Sequence, residues 1–210
     1  MTALKIEIKA IMSGWGESGA HTTRTSSNIP TLSGVLGLIG NALGVGRTDP
    51  RLPSLWEGLE IDILVPNTNT HSPTKLGDFQ TFPFPFNEKK SEKKETRGIS
   101  TRFYDVGAWF CVLIRTKPTS KFSLEEIEGA FRSPQGLLYL GRKNCPLSWI
   151  SISTGTHEEL IASLTGWTLY TSTPHALARQ LLIRTDRPGK NRTFQTRTIY
   201  VVPIESPSPA

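Results

Sequence analysis

Between Ser33 and Leu43 the chain carries an apolar stripe of Val35, Leu36, Leu38, Ile39, Ala42 and Leu43, interrupted by Gly34, Gly37 and Gly40 and followed by Gly44. The apolar spacing is that of a helix face. Glycine inside a helix costs up to ~1 kcal/mol relative to alanine. A helix that keeps this many is therefore read as one packed very closely against a neighbouring element. Two sharper readings fail on the residues themselves. The G-K-[ST] ending of a phosphate-binding loop is missing, and Gly40-x-x-x-Gly44 sits in a run too short to cross a bilayer.

The segments on either side supply what such a helix needs to pack on. Leu4, Ile6, Ile8, Ala10 and Met12 alternate with Lys5, Glu7, Lys9 and Ile11, the period of a half-buried strand. Gly14 to Pro30 has the Gly, Ser, Thr and Asn content of an ordered loop around Trp15 and Arg24. Leu59 to Val65 alternates again and is a second strand; Val106 to Ile114 is a third, more buried one. Between them, Pro66 to Thr101 does not read as core, because it holds Phe82-Pro83-Phe84-Pro85-Phe86 and the charged stretch Glu88 to Arg97. Loops this long are functional or disordered, and this one is read as a projecting arm. Ser123 and Glu126 form a capping box, with Phe122 and Ile127 as its hydrophobic staple, so a helix is expected over Ser123 to Arg132. A short strand is expected at Leu137 to Leu140.

That order of strand, helix, strand, arm, strand, helix, strand is a split βαβ arrangement of the ferredoxin-like type, an α+β fold. Strand-like segments at Trp149 to Ser153, Trp167 to Thr171, Ala178 to Arg184 and Thr198 to Ile204 form a second sheet region or extend the first. The expected division is a body of residues 1–65 and 102–145, an arm of 66–101, a C-terminal β-rich region of 146–205 and a frayed tail of 206–210.

With 24 Lys and Arg against 18 Asp and Glu, the net charge of +6 biases the partners towards polyanions without choosing one. Cys111 and Cys145 lie far apart and lack zinc-site spacing, which fits a reduced cytoplasmic setting. No signal-peptide order is read at the N-terminus and no apolar run reaches the ~20 residues of a membrane span, so no membrane partner is expected.

Catalysis needs a base, an acid or a metal at workable spacing. His21, His71, His157 and His175 sit in no metal-binding or triad-like motif. His157 precedes Glu158 and Glu159 at a helix start, where the carboxylates complement the helix dipole. Only His21, near Arg24, is placed to reach a bound phosphate. The stronger signal is cationic and aromatic residues in loops. Trp15 is either a stacking face, worth ~1 to 3 kcal/mol per base, or a core plug. Arg24, with Thr22, Thr23 and Thr25, and Ser33 at the helix start could meet phosphate oxygens; in the plainer reading Ser33 or Thr31 caps the helix. Arg142 and Lys143 follow Tyr139-Leu140-Gly141, where a glycine would let a phosphate backbone approach, and this is the preferred RNA contact. Arg179, Arg184, Arg187, Lys190, Arg192 and Arg197 face one acid, Asp186, and form a basic patch. Glu88 to Arg97 mixes five cations with three acids and reads as a solvated loop.

Four stretches together resemble a known family. They are Trp15-Gly16 with Arg24 and Pro30-Thr31-Leu32-Ser33-Gly34-Val35-Leu36-Gly37-Leu38-Ile39-Gly40 through Leu43-Gly44; Asp78-Phe79-Gln80-Thr81 with the Arg102 to Phe110 entry into the third strand; Tyr139-Leu140-Gly141-Arg142-Lys143-Asn144-Cys145-Pro146-Leu147; and Arg192-x-Phe194-x-x-Arg197-x-x-Tyr200-Val201. The chain is similar along nearly its whole length to the CasD-type subunits of type I-E CRISPR Cascade, in the Cas-five family of the RAMP superfamily.

The resemblance implies a ferredoxin-like (RRM-like) βαββαβ body with a long β-hairpin thumb between the second and third strands. It implies a non-catalytic subunit without cofactor or metal that grips the 5′ handle of crRNA. The thumb would pack on a CasC-type backbone subunit, a CasA-type large subunit would be contacted as well, and target DNA would be met through the assembled complex. RNA contacts are expected at Trp15, Arg24, Thr25, Ser33, Gly34, Arg102, Tyr139, Gly141, Arg142, Lys143, Asn144 and Arg197. The alternative is a metal-independent endoribonuclease acting on repeat RNA, with His21 or Tyr104 as base. The type I-C branch uses a Tyr, Lys and His site, and the arm here has no Lys-His pair.

Overall fold

The computed structural model describes residues 1–16, 22–67, 74–83, 97–175, 178–187 and 193–205. In chain order the elements are β1 (Thr2–Ser13), β2 (Thr23–Arg24), α1 (Leu32–Ala42), α2 (Leu52–Gly58), β3 (Leu59–Pro66), β4 (Thr74–Pro83), β5 (Arg97–Thr116), α3 (Leu124–Arg132), β6 (Trp149–Thr156), α4 (His157–Ala162), β7 (Trp167–Thr171), β8 (Arg179–Arg187) and β9 (Thr193–Pro203). All the strands join one sheet in the order β6-β1-β5-β3-β7-β9-β8, with β2 and β4 attached to β5. The pairings are antiparallel except for the parallel contact of β2 with β5. The C-terminal strands thus extend the first sheet and do not form a second one.

Period-two patterning decides which residues go to which face. Leu4, Ile6, Ile8 and Ala10 of β1 and Phe110, Val112 and Ile114 of β5 meet Val35, Leu36 and Ile39 of α1 and Ile127 and Phe131 of α3 on one face. On the opposite face Ala3, Leu64, Cys111 and Leu113 meet Leu160, Leu164, Trp167 and Leu169. Burial there pushes the Cys111 thiol up to about 12, so it behaves as a core residue. The glycines of α1 divide by position. A Cβ on Gly34 would come within 2.6 Å of the Trp15 ring and one on Gly40 within 3.0 Å of the Val45 carbonyl, while Gly37 meets nothing. Close packing is therefore required at two of the three. Among the described residues no helix is long and apolar enough to cross a membrane.

Three features differ from the sequence reading. Leu137 to Leu140 forms no strand, only an isolated bridge from Tyr139 to Pro146. The chain there folds on itself instead: Leu140 N–H donates to Cys145 O, Arg142 N–H to Leu140 O and Cys145 N–H to Arg142 O. The strand following α3 in the sheet is β6, beside β1. A helix, α2, was not expected. It has Pro in its first turn, a start signal that stands out only beside an apolar period that seven residues are too few to display. Finally, β5 runs unbroken across the expected arm–body boundary, its first half pairing with β4 from Thr74↔Val106 to Pro83↔Arg97 and its second half with β3. Residues 68–73 and 84–96 of the arm, including His71 and Phe84-Pro85-Phe86, lie outside the described residues, as does the tail of 206–210.

Asp62 of β3 is 2 % exposed on the α4 face. His157 Nε2 lies 2.7 Å from its carboxylate and the Arg115 guanidinium 3.2 Å away; Arg115 also reaches Glu60 at 3.0 Å. Burial pushes the Asp62 carboxyl up, but bonds from His157 and Thr171 and the Arg115 charge together hold it below its ordinary value of 3.8. A carboxylate depressed in the folded state contributes stability that is fully present above its unfolded pKa and is lost as pH falls through the folded one. Asp62→Asn is accordingly expected to be clearly less stable than the parent in urea at pH 6. The gap should narrow as pH drops below the ordinary carboxylate value; a gap independent of pH between 6 and 2 would rule this account out.

Candidate nucleic-acid interface

Where β1 ends, Gly14 leads into Trp15, whose indole turns inward. Trp15 is 1 % exposed, meets Phe110 edge-on at 5.6 Å between centroids, and its backbone N–H donates to Ser26 Oγ at 2.9 Å. No ring face is open to a base, so the stacking role is corrected in favour of a core plug. The seat is made of glycines. Besides Gly34, Gly141 sits at φ +76°, and a Cβ there would collide with the Gly14 carbonyl and come within 3.1 Å of the indole. The conformational freedom of Gly141 is thus used on its own chain, not reserved for a phosphate.

Arg142 is likewise turned onto the protein. Its Nη1 donates to Phe103 O at 2.8 Å, its Nη2 to Thr25 O at 3.1 Å and Arg24 O at 3.3 Å, and the guanidinium lies 4.7 Å from the centre of the Tyr104 ring. These bonds hold the loop carrying β2 against β5. Asn144 adds a bond from Nδ2 to the Tyr104 hydroxyl at 2.8 Å. Three carbonyls occupy the fork of Arg142, the preferred RNA contact of the sequence reading, and it organises the loops around it. Beneath the same loop, buried Asp105 accepts from the Ser26 hydroxyl and pairs with the Lys75 ammonium, which also donates to Ser26 O at 2.6 Å. Sequence reading missed this trio because its members lie on three distant segments and share no motif.

The clamp positions several cations without neutralising them. Arg24 and Lys143 are exposed, and neither forms an ion pair among the described residues. Arg102 is the cross-strand partner of Arg24 on one side and of Asp78 on the other, is half-buried, and its Nε has no hydrogen-bond partner. Thr25 is exposed beside them, and half-buried Tyr139 closes the turn against Pro146. At the start of α1 it is Thr31 that caps, its Oγ1 accepting from Gly34 N–H at 3.2 Å; Ser33 Oγ lies 3.5 Å from Thr31 Oγ1. Arg197 belongs elsewhere: it lies on β9, donates to Ser172 Oγ at 3.0 Å, and burial lowers its pKa. His21, Lys190 and Arg192 lie outside the described residues, as do the side chains of Arg184, Asp186 and Arg187.

Tyr104 is 2 % exposed, with its hydroxyl held by Asn144 and its ring under Arg142, a poor position for a base. His157 is engaged by Asp62 on the other side of the sheet. Among the described residues no group of three or more His, Cys, Asp or Glu could hold a metal ion.

Fold and site define a class: a one-sheet α+β protein in which loops at one end of the sheet, clamped by an inward-facing arginine, present cations that form no ion pair among the described residues. Within that class the chain belongs to the CRISPR-associated protein (Cas_Cas5) family, whose model matches residues 3–201. It is 31 % identical over 150 residues, 69 % of this chain and 67 % of the relative, to the CRISPR system Cascade subunit CasD of Escherichia coli (strain K12). Its fold is that of a chain in a CRISPR RNA-guided surveillance complex, with TM-score 0.75 and 22 % identity over 98 % of this chain and 91 % of the other. A solved Cas protein matches with TM-score 0.63 and 20 % identity over 97 % and 95 % of the two chains.

Proposed function

We propose that the chain is a non-catalytic subunit of a type I-E Cascade surveillance complex that binds and caps the 5′ handle of crRNA. The observation carrying this reading is the trio Arg24, Arg102 and Lys143, brought to one end of the sheet and in no ion pair among the described residues, with Asp78 opposite Arg102 on the neighbouring strand. Cations held without counter-charges favour a polyanion, and single-stranded RNA is met through phosphates and splayed bases. The sheet order β6-β1-β5-β3, antiparallel throughout and with α1 and α3 on one face, supports a ferredoxin-like (RRM-like) body.

The β4–β5 hairpin serves as the thumb. It exposes Phe79 at 64 % and Ile99 at 52 % on one face, which suits packing against a CasC-type backbone subunit and the guide. A CasA-type large subunit is the other protein contact, and target DNA is met through the assembly. Two buried free cysteines fit a cytoplasmic setting.

In a binding assay against handle RNA, Arg102→Ala and Lys143→Ala are each expected to weaken affinity roughly tenfold. Each should also reduce the slope of log affinity against log salt by about 0.7, the value of one phosphate contact on a single strand. A double variant with unchanged affinity and slope would remove this surface from the RNA path.

A further inference from the structure

β6 stands at one end of the sheet, paired with β1 on one side, and among the described residues no strand lies on its other side. Its pairing with β1 runs in constant register from Thr2↔Thr156 to Lys9↔Trp149. His157 N–H donates to Met1 O at 2.9 Å, which extends that ladder by one pair and fixes the odd-numbered residues of β6 as those bonded to β1. The even-numbered Ile150, Ile152 and Thr154 therefore turn their N–H and C=O groups outward. At the next even position the outward N–H of Thr156 is taken by Glu159 Oε2 at 3.2 Å.

Soluble proteins blunt such edges with charged residues, proline or bulges, because an open row of donors and acceptors recruits other strands. β6 reads Trp-Ile-Ser-Ile-Ser-Thr-Gly-Thr: no charge, no proline, and β-branched residues at all four even positions. Beside its start, Trp149 is 45 % exposed, and the Lys9 ammonium lies 5.1 Å from its ring centre and 4.3 Å from that of Trp109. An edge strand with no charged residue of its own, approached by Glu128 at the Thr154 hydroxyl and by Glu159 at Thr156 and bordered by a large exposed aromatic ring, is a row of main-chain groups plus one anchoring surface. Only another extended polypeptide offers donors and acceptors at the matching spacing.

We infer that the outer edge of β6 receives an extended segment of a partner protein as an added strand, with an apolar or aromatic side chain of that segment laid against Trp149. The inference rests on the reading of the chain as a subunit of a larger assembly. A second copy of this chain, pairing β6 with β6, is the rival occupant.

The experiment is hydrogen exchange on the isolated chain and on the intact assembly purified with its co-expressed subunits and guide. The amides of Ile150, Ile152 and Thr154 are expected to exchange freely in the isolated chain and at least ~100-fold more slowly in the assembly. Thr154→Pro deletes one outward donor while sparing the bonds to β1 and should abolish that protection; Thr154→Lys, which puts a charge on the edge without touching the backbone, should do the same if the proline variant fails to fold. Equal exchange in the two preparations would overturn the inference. So would protection in the isolated chain that grows with its concentration alongside a dimer in sedimentation, which would assign the edge to self-pairing. Handle-RNA binding measured on the same variants is expected to be unchanged, so loss of the RNA reading and loss of the strand-addition reading are separately visible.

Discussion

Trp15→Ala is expected to destabilise the protein by about 4 kcal/mol in urea unfolding, within the range for removing a buried aromatic side chain. The expected size follows from how the ring is held. It is almost fully enclosed, packs on Phe110, and is closely approached by Gly34 and Gly141. Collapse of the void would require α1 to move, and α1 is fixed by Leu36 and Ile39 in the same core. Gly34→Ala should cost about 2 kcal/mol, because overpacking against the indole outweighs the helical gain of up to ~1 kcal/mol from alanine. The double variant carries the sharper test. With the indole gone, the methyl group enters the void, so Gly34→Ala should become neutral or stabilising in the Trp15→Ala background, a coupling of about 2 kcal/mol. Additive effects would mean that Gly34 is kept for some reason other than the ring.

That pair also marks how far the sequence can be read. The glycine-broken stripe of α1 announced a close neighbour, and the alternating segments β1, β3 and the core half of β5 announced the sheet it lies on, because period and composition act within a few residues. What the stripe touched was not legible. Trp15 looked equally like a stacking platform, since whether an indole faces inward depends on two glycines, Gly34 and Gly141, on separate segments. Arg142 and Lys143 are adjacent and chemically alike in sequence, yet one turns its fork onto the carbonyls of Phe103, Arg24 and Thr25 and the other stays in solvent. The Ser26, Lys75 and Asp105 network was invisible for the same reason: each member is ordinary in its own neighbourhood, and only tertiary contact gives it a role.

Arg142→Ala is therefore expected to damage RNA binding by a route different from that of its neighbour. Removing the side chain leaves three carbonyls without their shared donor and the Tyr104 ring without its cation, at a cost of about 2 to 3 kcal/mol in folding stability. The segment bearing Arg24 and Thr25 then loses one of its ties to β5, keeping the β2 pairing and the Ser26–Asp105 bond, and handle affinity should fall ~30-fold if the two segments proposed to meet phosphate are no longer held in register. The salt slope for the RNA still bound should change little, since the charge removed was directed at the protein. Lys143→Ala should give the reverse: unaltered unfolding, with the slope reduced by about 0.7. Arg142→Lys restores the charge but neither the planar fork nor the stack on Tyr104, so it should recover little of the lost stability or affinity. If instead Arg142→Ala left stability untouched and lowered the slope as Lys143→Ala does, Arg142 would be a phosphate contact in the bound state and the clamp a feature of the free protein alone.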